Sequence, residues 1–149
     1  QIRELQNGGE FVVLLFLAAW GNDTLAYCTG MLIGKHKMSP ILSPKKSIEG
    51  LVGGIVGAAI LGALYGLYLN TYIRFSFNPV TMFPIVCGLS GAVSVIGDLA
   101  ASAIKRDSGI KDYGTLIPGH GGILDRFDSI IFIAPVIYYL TVMISGGAI

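Results

Sequence analysis

Asp98, Ser102, Lys105-Arg106, Lys111-Asp112, His120-Gly121-Gly122, Asp125-Arg126 and Asp128 fall within residues 98–128, a stretch that holds five Asp, four Lys or Arg and one His between two apolar runs. Charge at that density beside a bilayer is costly and points to chemistry on something anionic. Ser94, Asp98, Ser102 and Lys105 are spaced four, four and three apart, so on a helix they share one face. A polar seam between helices would account for the serines alone. Asp98 asks for more: roughly 10 Å inside the end of its apolar run, an ionised carboxylate needs a cation, a metal or a water-filled cavity.

Asp125 and Asp128 are three apart, which places both on one face of a first helical turn, where two carboxylates can converge on a hard cation. Capping of the helix dipole would explain one of them. Three carboxylates approaching from two helices, with basic groups beside them, describe a Mg²⁺ site for a nucleotide reaction better than a salt-bridge network, with Asp98, Asp125 and Asp128 as ligands. Just ahead, Pro118 and Gly119-His120-Gly121-Gly122 form a loop running into a helix N-terminus. Such a loop can present successive N–H groups to phosphate oxygens, with His120, Arg126 and Lys105-Arg106 in support; His120 could equally cap or pack.

A second loop repeats the theme. Ser43-Pro44 predicts an N-cap followed by proline at the first helical position, and this sets Lys45 and Lys46 against the helix dipole. Either a bound anion compensates them or they reach out to anionic headgroups. Cys28 and Cys87 lie in apolar runs without a CxxC pair or a neighbouring His, so both read as core residues, with neither a disulfide nor a thiolate metal site.

The elements that must position these groups are membrane helices. Hydrophobic residues make up 53% of the chain against 13% charged, with 21 Gly and a mean hydropathy of +0.71, far from the balance of a soluble domain. Apolar runs near 11–34, 48–69, 79–104 and 127–145 are each long enough to cross a hydrocarbon layer, so the fold expected is all-α, a polytopic bundle of about four transmembrane helices. Asn22-Asp23-Thr24 interrupts the first run, and Pro135 should kink the fourth unless a neighbour satisfies the freed carbonyl. Lys35, Lys37, Lys45 and Lys46 share one loop, and Lys105, Arg106, Lys111 and Arg126 share another, while Arg3 and Arg74 lie on the opposite side. Both basic loops are therefore expected on the cytoplasmic face. Gly50, Gly54, Ala58, Gly62 and Gly66 recur every four residues along the second run, a stripe suited to close helix packing. No cleavable signal peptide is visible; the chain starts at Gln1 and reads as the C-terminal part of something longer.

The fixed residues Ser102, Lys105-Arg106, Lys111-Asp112, Gly114, Ile117-Pro118, His120-Gly121-Gly122, Asp125-Arg126 and Asp128 closely resemble the C-terminal motif of the phosphatidate cytidylyltransferases, also called CDP-diacylglycerol synthases. The resemblance extends upstream to Asn22-Asp23-Thr24-Leu25-Ala26-Tyr27, to Gly34-Lys35-His36-Lys37 and to Ser43-Pro44-Lys45-Lys46-Ser47-Ile48-Glu49-Gly50, almost the whole chain. It implies that residues 1–149 are one C-terminal catalytic transmembrane domain, without the additional N-terminal spans that family members usually carry.

The reaction implied is CTP plus phosphatidate giving CDP-diacylglycerol and pyrophosphate, Mg²⁺-dependent, in a multi-pass membrane protein with its active site on the cytoplasmic side. Asp98, Asp125 and Asp128 would hold the metal. Lys105, Arg106, Lys111, Arg126 and the Gly-rich loop would hold the triphosphate, and Ser102, Asp112 and His120 are expected among the substrate-binding residues. Ser43, Lys45 and Lys46 would hold the lipid phosphate or the leaving pyrophosphate, and Asp23 a second cation such as K⁺ or the nucleotide. The partners are the two substrates and the bilayer, with no nucleic acid; the stripe and the family habit suggest a homodimer. A CTP-dependent kinase of a polyprenol or long-chain alcohol would use similar motifs, and a cation-coupled transporter would also place Asp23 and Asp98 in the bilayer.

Overall fold

The computed structural model describes residues 2, 8–39, 43–75, 77–110 and 124–144, and the side chains of these apart from 43–45, 124–126 and 128. Four helices make the fold: α1 (Gly8–Ile33), α2 (Ile48–Tyr72), α3 (Pro79–Asp107) and α4 (Leu124–Ile144). Each end lies within three residues of the boundary read from hydropathy. At about 1.5 Å per residue the 25 to 29 residues of α1, α2 and α3 exceed the ~30 Å of a hydrocarbon layer. Among the described residues these three are long and apolar enough to cross a membrane, and α4 has 21 residues. α4 runs through Pro135 as one helix.

Local chemistry sets the ends of α3. The Asn78 side chain accepts from the Val80 N–H at 3.0 Å, and Pro79 occupies the first turn, where its missing N–H costs nothing. At the other end Gly109 adopts φ +68°, and the Ile110 and Gly109 N–H groups donate to the carbonyls of Lys105 and Arg106 at 2.9 and 3.1 Å. This is the six-to-one and five-to-two bonding of a Schellman cap, which needs a residue tolerant of the left-handed conformation.

Between α1 and α2 the structure departs from the expected helix start at Ser43-Pro44. Lys37–Ser39 (β1) and Ser43–Ser47 (β2) pair as a short antiparallel hairpin, with Lys37 opposite Ser47 and Ser39 opposite Ser43. The N-cap of α2 is Ser47, whose hydroxyl accepts from the Gly50 N–H at 3.1 Å. Lys45 and Lys46 therefore lie on the strand before the helix, so a first-turn clash with the dipole is not what they face. Tertiary pairing with Lys37 and the better cap at Ser47 outcompete the local Ser-Pro signal.

α2 packs along both α1 and α3, and α4 lies against α3 and α1. The small-residue stripe makes this possible. All five members are buried; a Cβ at Gly50 would come 2.7 Å from the Ala26 carbonyl on α1, and one at Gly62 or Gly66 would come 2.7 or 2.5 Å from the carbonyls of Phe83 and Pro79 on α3. The stripe is thus divided between two partners within the chain and gives no support to a homodimer. Val52, Val56, Ile60, Leu64 and Leu67 of α2 face outward, as a lipid-contacting side does. Cys87 is buried, but Cys28 is exposed, correcting its reading as a core residue: a mixed apolar run does not tell a lipid-facing position from a helix-facing one.

The end of the bundle far from the hairpin is filled by aromatic rings. Phe11 and Phe75 each meet Phe83 edge-on, at 6.1 and 5.7 Å between centroids, and Tyr65 stacks on Phe83 at 6.0 Å. The Tyr65 hydroxyl donates to the Glu10 carboxylate.

Candidate functional site

The hairpin end is where polar groups gather, and close packing aims them. A Cβ at Gly30, Gly34 or Gly50 would come 2.9, 2.7 or 2.9 Å from Ser47 Oγ, so only glycines let the strand end seat against both helices. The turn before β1 is held as well. The Glu49 carboxylate accepts from the His36 backbone N–H at 3.2 Å and sits 2.7 Å from His36 Nδ1, and the Ile48 N–H donates to the His36 carbonyl at 3.0 Å. With both ends of the hairpin fixed, the residue just before the cap, Lys46, is turned inward.

Lys46 Nζ donates to Asp98 Oδ2 at 2.7 Å, with the two side chains 28% and 18% exposed. The cation that a carboxylate inside an apolar helix requires is, in this structure, a lysine from 52 residues away in sequence. The other oxygen, Asp98 Oδ1, accepts from Ser129 Oγ of α4 at 2.5 Å, and Ser129 Oγ is also 3.5 Å from Asp23 Oδ2 of α1. Groups from α1, β2, α3 and α4 therefore converge at one place.

Beside them opens a cavity of about 250 Å³, lined by Asn22, Asp23, Tyr27, Lys46, Ser47 and Asp98 together with Ala26, Met38, Gly50, Leu51 and Val95. Deeper in the bundle, Asn22 is fully buried and donates weakly to Asp23 Oδ1 at 3.4 Å. Its Oδ1 has no hydrogen-bond partner among the described residues, and neither do the hydroxyls of Ser90 and Ser94.

Of the residues singled out from the sequence, the structure brings Asp23, Lys46 and Asp98 together. Ser102 and Lys105 continue along α3 from Asp98 toward its C-terminal end, both half-buried, and Arg106 is exposed. Ser43 and Lys45 lie on β2, and Asp125, Arg126 and Asp128 in the first turns of α4, with side chains outside the described set; Lys111, Asp112, His120, Gly121 and Gly122 fall outside the described residues altogether. Among the described residues no three His, Cys, Asp or Glu side chains group as a metal site. The Ser129 hydroxyl against Asp98 is the contact that sequence reasoning missed. Its only signal is its place directly after Asp128, on the helix whose start is thereby brought to Asp98.

Comparison with known proteins finds one family and a set of similar chains. The Cytidylyltransferase family matches residues 1–144. The chain is 39% identical over 137 residues to a phosphatidate cytidylyltransferase of Staphylococcus saprophyticus subsp. saprophyticus, covering 92% of this chain and 51% of that protein. A phosphatidate cytidylyltransferase of Staphylococcus aureus (strain COL) is 41% identical over 135 residues, 91% of this chain and 50% of its own. The chain spans about half the length of the curated relatives it matches.

Proposed function

Because this chain belongs to the cytidylyltransferase family, we propose that it carries the transfer site of a membrane enzyme condensing CTP with phosphatidate to give CDP-diacylglycerol and pyrophosphate. The observation that carries this reading is the convergence of Asp23, Asp98 and Lys46 on one cavity at the loop end of an apolar bundle. A lipid phosphate can reach such charges without leaving the membrane. The site faces the cytoplasm in this proposal, since the two connections at that end and the helix ends flanking them hold eight of the ten Lys and Arg residues.

A phosphatidate oxygen attacks the α-phosphorus of CTP in line; the bond from that phosphorus to the bridging oxygen breaks, and its electron pair leaves on pyrophosphate. The attacking oxygen is already anionic, so no general base is required. The chain's task is positioning and charge neutralisation. Lys46 neutralises Asp98 in the substrate-free protein, and an arriving phosphate offers its ammonium a stronger charge-assisted partner. Lys105, Arg106, Lys111, Arg126 and the Gly-rich loop bind the triphosphate. Ser43 and Lys45 join Lys46 on the lipid phosphate or the departing pyrophosphate.

The donor set fits Mg²⁺. Such an ion takes one or two protein carboxylates and completes its shell with substrate phosphates and water, and Asp98 and Asp23 already approach a single hydroxyl, with Asp125 and Asp128 on the adjoining helix. When bound it would neutralise charge building on the phosphoryl oxygens. The test is incubation of the purified protein in lipid–detergent micelles with CTP and phosphatidate, with Mg²⁺ or with EDTA. CDP-diacylglycerol and pyrophosphate in equal amounts, only with metal, is the expected result. Absence of both products with metal present overturns the reading, and CDP formed with a phosphorylated lipid alcohol would mark a kinase instead.

A further inference from the structure

We propose that Ser129 is a positioning residue that sets the carboxylates of Asp98 and Asp23 for a divalent cation, an inference that rests on the reading of the site given above. Ser129 is 4% exposed, and its hydroxyl is 2.5 Å from Asp98 Oδ1 and 3.5 Å from Asp23 Oδ2. A hydroxyl carries one proton and two lone pairs, so it donates to Asp98 and stands at the limit of contact with Asp23. Asp98 is thereby held from two sides, by Ser129 on one oxygen and by Lys46 on the other at 2.7 Å.

The two holds differ in kind. Lys46 carries a positive charge that competes with any cation for Asp98, whereas the neutral hydroxyl does not. Once a phosphate draws Lys46 away, Ser129 is the described group still able to fix the Asp98 rotamer. A carboxylate accepts about four hydrogen bonds or ligands over its two oxygens, so the Ser129 bond leaves room for a metal on the same group. Outer partners that orient a ligand in this way typically change metal affinity or activity by about 10–100-fold when removed.

The test compares Ser129→Ala and Ser129→Thr with the unaltered protein in micelles, using Mn²⁺ as the probe. Free Mn²⁺ is followed by its electron paramagnetic resonance signal, and turnover of CTP with phosphatidate is followed as a function of Mg²⁺. Ser129→Ala should weaken Mn²⁺ binding and raise the Mg²⁺ concentration for half-maximal turnover by about tenfold or more. Ser129→Thr, which keeps the hydroxyl, should restore most of both. Equal impairment in the two variants would make the position one of packing only and overturn the proposal, as would Mn²⁺ binding unchanged in Ser129→Ala. The Mn²⁺ titration needs no turnover, so it judges Ser129 even if the unaltered protein makes neither product and the wider functional reading falls.

Discussion

Removing the Lys46 ammonium should destabilise the protein, and the size of the effect follows from its surroundings. The pair with Asp98 is 2.7 Å long with side chains 28% and 18% exposed, between an exposed ion pair, worth about 0–1 kcal/mol, and a buried one, whose breaking costs about 3–5 kcal/mol. Lys46→Met should therefore cost about 1–3 kcal/mol, since it leaves the Asp98 carboxylate in the cavity without its lysine partner. Asp98→Asn should cost less, because a lysine freed of its partner can carry its charge to water on a flexible stem. A double-mutant cycle with both variants, measured by denaturant unfolding in micelles, should give a coupling energy of about 1–2 kcal/mol. Coupling below about 0.5 kcal/mol would refute the pairing. So would a Lys46→Met protein more stable than the original, the result expected of a lysine opposing the dipole of α2.

Asn at Asp98 or Asp23 should remove most turnover, and the double variant should lose little more than the worse single one, because either loss dismantles a shared site; additive losses would separate the two carboxylates. Gly66→Ala, whose Cβ would come 2.5 Å from the Pro79 carbonyl, should destabilise by about 1–3 kcal/mol, whereas Gly88→Ala, with its nearest neighbour at 3.7 Å, should be neutral or stabilising by up to about 1 kcal/mol through helix propensity. Ser47→Ala should cost about 1 kcal/mol of stability by loss of the α2 cap. In a Cys28→Ser background, cysteines placed at Ser39 and Ser108 should react with an impermeant thiol reagent from one face of the membrane and a cysteine at Asn70 from the other; labelling of Ser39 and Ser108 from opposite faces would break the topology.

Helix positions were legible because long apolar runs leave few alternatives, and Asp98 stood out because a carboxylate inside such a run demands a partner. The identity of that partner was not legible. Lys46 reaches Asp98 only through a hairpin whose strands are three and five residues long, and Ser43-Pro44 carries a strong local signature for a helix start at the wrong place. Ser129 carried no pattern at all, since one serine in a helix acquires meaning only from what another helix places beside it. The stripe on α2 was readable as packing, but periodicity alone could not say that its first half meets α1 and its second half α3.

The ring cluster of Phe11, Tyr65, Phe75 and Phe83 gives the bundle a floor. A site for ions among membrane helices, as proposed above, would short-circuit the membrane if water could pass from it to the other side, and the far end of the described bundle is packed with aromatic faces. On the proposed function, the cavity beside Asp98 is entered from the loop end, and the aromatic floor lets charge sit inside an insulating layer without opening a route across it.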